Sequence, residues 1–340
     1  MKRIQDGRKP LRAVRTALIV LCFWPGPGFA DQGLALRGAY GDLSCLGIQA
    51  GRAYIFTGER FHVFDLEDGT PLKTFGGVGQ GPAEWGSYFA FPFLTPYGIA
   101  VSNKGKCVFF DLDGTHLKSI QPGLLFDKVL RFGSRFVGLA SNLDPDAGTR
   151  TAAVQILDDE LGLVREIYRE KKGSRWLGKD GRLQITLPGT HVDFTVRDGK
   201  IYVGDSAEAV SISVFSGGGD LIRGLERKAA KVKIPDEARE KYAPAKKAIS
   251  GAAAAAITVS KYYPAFHFFK VEAGLIYVFT YNIKDGRREV LVLDENGGSA
   301  GSVWLTEAAA MSSCIYEKRF YYVVNDEESG EVMLHAEAIF

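Results

Sequence analysis

Gly98-Ile-Ala-Val101, Cys107-Val-Phe-Phe-Asp111, Asp113-Gly114 and His116 to Ile120 read in order as strand, strand, tight turn and strand. The strand segments are β-branched and aromatic, and Asp-Gly is a preferred two-residue hairpin turn. The same unit comes earlier as Gly51-Arg-Ala-Tyr-Ile-Phe56, Phe61-His-Val-Phe-Asp65, Glu67-Asp68-Gly69 and Pro71 to Phe75. It comes again, more loosely, as Arg135 to Ala140, Ala153 to Asp158 and Leu163 to Tyr168. Further copies are Gly199 to Val203 with Val210 to Phe215 and Asp220 to Leu225, then Gly274 to Phe279 with Glu289 to Asp294 and Ser302 to Leu305. Arg319 to Val324 and Glu331 to Ala336 form the last.

An apolar stretch precedes the first turn of each unit, for example Leu43 to Ile48, His191 to Val196 and Ala265 to Val271. Four strands in each of six units predict an all-β chain, a single six-bladed β-propeller over residues 31–340. The runs are nearly continuous in apolar residues, as sheets buried on both faces require. The last unit lacks a fourth strand, and an open ring would leave an aggregation-prone edge. Leu34 to Ala39 is expected to close it as the outer strand of the last blade. That closure would place Cys45 and Cys314 on adjacent inner strands, where a disulfide is one reading and buried free thiols are the other.

A short helical insertion is expected between blades four and five, within residues 229–262. Pro235-Asp-Glu suits a helix first turn, with acids at the positive end. Ala238 to Ala243 continues it, and Ala245 to Ala256 is expected as a second helix.

Thr95-Pro-Tyr-Gly-Ile-Ala-Val101 followed by Cys107-Val-Phe-Phe-Asp-Leu-Asp-Gly114 resembles an NHL-type repeat. Gly76-Gly-Val-Gly-Gln-Gly-Pro-Ala-Glu-Trp85 resembles the Gly-x-Gly-Gln-Gly-Pro-Gly-Glu-aromatic signature of bacterial exported six-bladed propellers of TolB-like architecture, with Ala83 in place of Gly. The resemblance implies a fold and names no chemistry.

Residues 1–30 read as a signal peptide: Arg8, Lys9, Arg12 and Arg15, a short apolar run from Ala17 to Trp24, and Gly28-Phe29-Ala30 before a cleavage after Ala30. The apolar run is too short to span a bilayer, so a periplasmic or secreted protein is expected, with no transmembrane segment in the mature chain. The 340 residues carry 42 Lys and Arg against 40 Asp and Glu, which gives no general attraction for nucleic acid. Three of the 4 cysteines follow the signal peptide, too few for a disulfide scaffold.

Strand direction alternates outward from the channel, so second-to-third loops and blade-to-blade connectors share one face. The long segments Gly76 to Trp85, Asn142 to Arg150, Glu170 to Pro188, Ala229 to Tyr262 and Tyr281 to Arg288 all fall there, and long loops on a rigid scaffold are where function usually sits. Residues 161–262 hold 19 Lys and Arg against 12 Asp and Glu. Lys171, Lys172, Lys246 and Lys247 lie in these connectors, where they either suit an acidic protein or glycan or simply make a solvated charged surface. Gln80, Glu84 and Trp85 either offer contacts at the channel mouth or simply pack between blades.

The 5 histidines include no metal-binding spacing. His191 and His267 alone stand near the start of inner strands, where they could face the channel together. The reading is therefore a monomeric binding or scaffolding module with no cofactor predicted. The alternative is a metal-dependent hydrolase or lyase with calcium or zinc at the channel.

Overall fold

A two-residue apolar period sends successive side chains of a strand to opposite faces of its sheet. In the computed structural model that rule builds the whole molecule. The structure describes residues 33–37, 45–86, 90–103, 105–122, 126–144, 149–170, 175–177, 183–240, 242, 256–308, 312–325 and 331–339.

Six four-stranded antiparallel blades follow one another around a ring. Blade one is Cys45–Gln49, Arg52–Phe56, Phe61–Asp65 and Pro71–Phe75 from the inside outward. Blade two is Phe91–Thr95, Gly98–Asn103, Lys106–Phe110 and His116–Ile120, and blade three is Phe126–Phe132, Arg135–Asp144, Thr149–Leu157 and Leu163–Arg169. Blade four comprises Val192–Arg197, Lys200–Asp205, Val210–Ser216 and Leu221–Arg227, and blade five Phe268–Glu272, Leu275–Lys284, Arg287–Asp294 and Ser299–Thr306. Blade six has Ser313–Tyr316, Arg319–Asn325 and Val332–Ala338, completed by Leu34–Leu36. The fold is the expected all-β six-bladed propeller.

Alternation in the second strands feeds two cores at once. Ala53 and Ile55 pack toward blade six while Tyr54 and Phe56 pack toward blade two. Ile201 and Val203 face blade three, and Tyr202 faces blade five. Each junction between neighbouring blades thus has its own buried cluster, including the one that joins blade six to blade one. The ring is closed by Leu34, Ala35 and Leu36 opposite Leu334, Met333 and Val332. Leu36 is fully buried there.

The connectors depart from the sequence expectation. Asp236–Glu240 forms a helix as expected, with Asp236 and Glu237 in its first turn. Ala256, expected to end a second helix, instead opens the strand Ala256–Val259. Its β-branched Ile257, Thr258 and Val259 suit a strand, and Ile257 buries against Ile185. Residues 243–255 lie outside the described residues. Arg175–Leu177 and Leu183–Leu187 extend the sheet of blade three, and Ala256–Val259 pairs in parallel with Leu183–Leu187.

Cys107 is buried at the junction of blades two and three. Cys314 lines the channel. The Cys45 side chain, and with it the candidate Cys45–Cys314 bridge, lies outside the described residues.

Candidate binding face

The connector after blade one is held by its own backbone. Gly77 bridges Glu84, the Trp85 amide donates to the Gly77 carbonyl at 3.1 Å, and the Gly81 amide donates to the Glu84 carboxylate at 2.6 Å. Lys106 and Asn103 donate to the Gly81 and Trp85 carbonyls. Trp85 is fully buried against Phe56 and Phe61, between blades one and two. Gly76 has positive φ, and a Cβ there would meet the Trp85 ring at 2.5 Å. Only glycine fits. Trp85 and Glu84 therefore shape the connector, whereas Gln80 is exposed at its tip.

The channel is lined by inner strands of all six blades and encloses about 400 Å³. Lys128 donates to Asp193 at 2.8 Å and to the Phe194 carbonyl at 2.6 Å, with the Phe93 and Phe194 rings each 5.1 Å away. Arg197 pairs with Glu272, and Lys270 donates to the Ser313 carbonyl at 2.7 Å. Burial opposes ionisation of Asp193, but Lys128 outweighs it and holds the carboxyl below its ordinary range. At Glu272 burial wins over Arg197, and the carboxyl is raised.

His191 and His267 meet, but at the junction of blades four and five; neither is among the residues lining the channel cavity. The His191 ring lies 3.1 Å from Ser206 Oγ, is hydrogen-bonded to the His267 main chain, and meets the Phe266 ring edge-on. His267 packs between Phe268 and Tyr281, and its Nδ1 is buried without a hydrogen-bond partner. Burial lowers the pKa of both rings. Asp193 and the His267 main chain partly oppose this at His191, while Arg288 and His191 reinforce it at His267, pulling it to about 4. Both are neutral at neutral pH. Among the described residues, no three His, Cys, Asp or Glu side chains converge as a metal site would require.

The long connectors before and after blade four are tied together by the parallel ladder of Gln184 to Leu187 with Ala256 to Val259. At their base opens a cleft of about 650 Å³, lined by Thr186, Pro188, Glu208, Lys231, Tyr262 and Tyr263 among others. Glu208 comes from the second-to-third loop of blade four, so loop and connectors meet on one face, as alternating strand direction requires. Tyr263 stacks on Tyr281 at 4.3 Å. Lys171, Lys172, Lys246 and Lys247 belong to the same two connectors but lie outside the described residues. Sequence reasoning missed Tyr262 and Tyr263, although Lys261-Tyr-Tyr-Pro264 just ahead of an inner strand is an unusual run that marks them.

No family model matches the chain, and no curated protein does. Among solved structures, it is similar to the computationally designed Ika8 protein at 12% identity and a TM-score of 0.42, covering 90% of this chain and 100% of that one. BamB from Moraxella catarrhalis is similar at 12% identity and a TM-score of 0.35, with 86% and 83% covered. The Pan2 WD40 domain of Neurospora crassa follows at 10% and 0.40, with 83% and 75% covered. The propeller assignment stands on the strand pairing itself.

Proposed function

We propose that this chain is a binding or scaffolding module, exported through its first thirty residues, that engages an acidic partner on the face carrying its long connectors. The observation that carries the reading is the joining of the two connectors around blade four. A parallel ladder fixes two otherwise independent loops over one cleft, and the fixed loops of a rigid scaffold are a pre-organised contact surface. The excess of Lys and Arg in the same segments supports the sign of the partner. The Gly76 to Trp85 signature supports kinship with exported NHL-like propellers, and with it a location outside the cytoplasm.

Photocrosslinking in the producing cell tests the reading. A photoreactive benzoylphenylalanine replaces Tyr262 at the cleft, and separately Leu117 on the outer rim, where it is exposed. Adducts are expected from the first position and not the second. Adducts from Leu117 alone, or from both positions equally, would overturn the assignment of the face. Charge reversal of Lys171, Lys172, Lys246 and Lys247 is expected to lower the Tyr262 adduct yield without shifting the melting temperature.

A further inference from the structure

Resting on that reading, we propose that the cleft beside Tyr262 binds an acidic oligosaccharide, with carboxylate-bearing pyranose rings as its chemistry. Two short segments form its basic wall. The Ile234 amide donates to the Lys261 carbonyl and the Tyr263 amide to the Val232 carbonyl, each at 3.0 Å, with Lys233 directly opposite Tyr262. Opposite residues of an antiparallel pair share a face, as do residues two apart. Lys231, Lys233 and Tyr262 therefore stand on one side of this ribbon, while Ile234 is buried on the other.

The ammonium groups of Lys231 and Lys261 lie 5.8 and 5.6 Å from the centre of the Tyr262 ring. Neither they nor Lys233 meet a carboxylate among the described residues. Tyr262 itself is partly exposed. Cation–π contacts at an exposed site are weak, so both ammonium groups are readily turned toward an anion. Glu208 is the one carboxylate among the described lining residues, against Lys231 in the wall and Lys233 and Lys261 beside it.

An oligosaccharide of uronic acids matches this arrangement. Its pyranose ring offers a flat C–H face to the tyrosine and carries its carboxylate at the ring edge, within reach of the two ammonium groups once they swing off the tyrosine ring. Thr186 and Thr190 line the same cleft with hydroxyl-bearing side chains, together with the rigid Pro188 and Pro264. The volume suits a ligand of a few rings. An acidic peptide would satisfy the lysines but has no face for the exposed ring.

Calorimetry on the mature chain tests this with an oligogalacturonate, its neutral galactose counterpart and a glutamate peptide of equal length. The oligogalacturonate is expected to bind, and to weaken about tenfold from low to physiological salt. Lys231→Glu combined with Lys261→Glu should abolish binding, and Tyr262→Ala should weaken it about tenfold. Melting temperature should not change, since all three side chains are exposed. No binding of the oligogalacturonate, equal binding of the neutral sugar, tighter binding of the peptide, or an unaffected Tyr262→Ala variant would each overturn the proposal. If the sugar fails while Tyr262 still gives crosslinked adducts, the ligand class falls and the binding face stands; if adducts also vanish, both fall.

Discussion

Asp65 and Asp294 end the third strands of their blades, Asp111 and Asp158 directly follow theirs, and all four hold the turn. Their carboxylates accept from backbone amides two or four residues on, as Asp294 does from Asn296 at 2.7 Å and Gly298 at 2.8 Å. These aspartates are legible in the sequence because an Asx turn is a local device. Asp294→Ala is expected to cost about 2 kcal/mol, read from the urea midpoint. The cations at the third position of the outer strands are not legible in the same way. Lys73, Lys118, Arg165 and Arg223 each reach the turn of the next blade, and only the closed ring shows which turn is next. Burial is the largest cause of two further properties. The Cys107 thiol is pushed up to about 11, so thiol alkylation at mildly alkaline pH should proceed at the rate of unfolding. His267, lowered to about 4, stays neutral in the fold while the unfolded ring takes up a proton near its ordinary value. Its contribution to stability is complete above that ordinary value and lost as pH falls toward the folded one. The melting temperature of a His267→Phe variant should therefore decline less steeply on acidification than that of the wild type.

Individual strands were readable wherever local pattern and tertiary position agree. All six blades and the closing segment follow from apolar period and turn chemistry, and the observed strands begin and end within a few residues of the expected ones. The strand that opens at Ala256 was not readable. Alanine favours helix locally, but Ile257 finds Ile185 across a parallel ladder, and that partner is some seventy residues away in sequence, in the other connector. The histidines were half legible: position before an inner strand brought His191 and His267 together, while only the packing of Phe266 and Tyr281 shows them set at a blade junction. Two substitutions separate the roles of the connectors. Trp85→Ala removes a fully buried ring and should cost about 4 kcal/mol of global stability. Ile257→Asn should leave the melting temperature nearly unchanged while raising amide exchange and proteolysis across Leu183–Leu187.

At four junctions of the ring, neighbouring blades are joined at the channel in two ways. Lys128 with Asp193 spans blades three and four, Arg197 with Glu272 spans four and five, and Lys270 with the Ser313 carbonyl spans five and six. Blades one and two meet at the channel by close packing: a Cβ on Gly47 would lie 2.3 Å from the Leu94 side chain. Removing one member of a half-buried pair leaves the other poorly compensated. Asp193→Ala is expected to cost about 2 kcal/mol in a single cooperative unfolding transition, and Lys128→Met with Asp193→Leu to recover most of it. A split transition would mean that the two halves of the ring unfold separately.

The fourth strand of blade six has a further consequence. Leu34–Leu36 is three residues long, pairs on one side only, and is joined to the rest of its blade through the whole intervening chain. When it peels away, Val332–Ala338 becomes an open edge whose register any copy of the same segment satisfies equally well. Concentrated protein warmed close to its melting point and then cooled is thus expected to exchange these segments and yield reciprocal dimers. Leu36→Asp, which cannot seat in the buried site of either molecule, should yield none on size-exclusion chromatography.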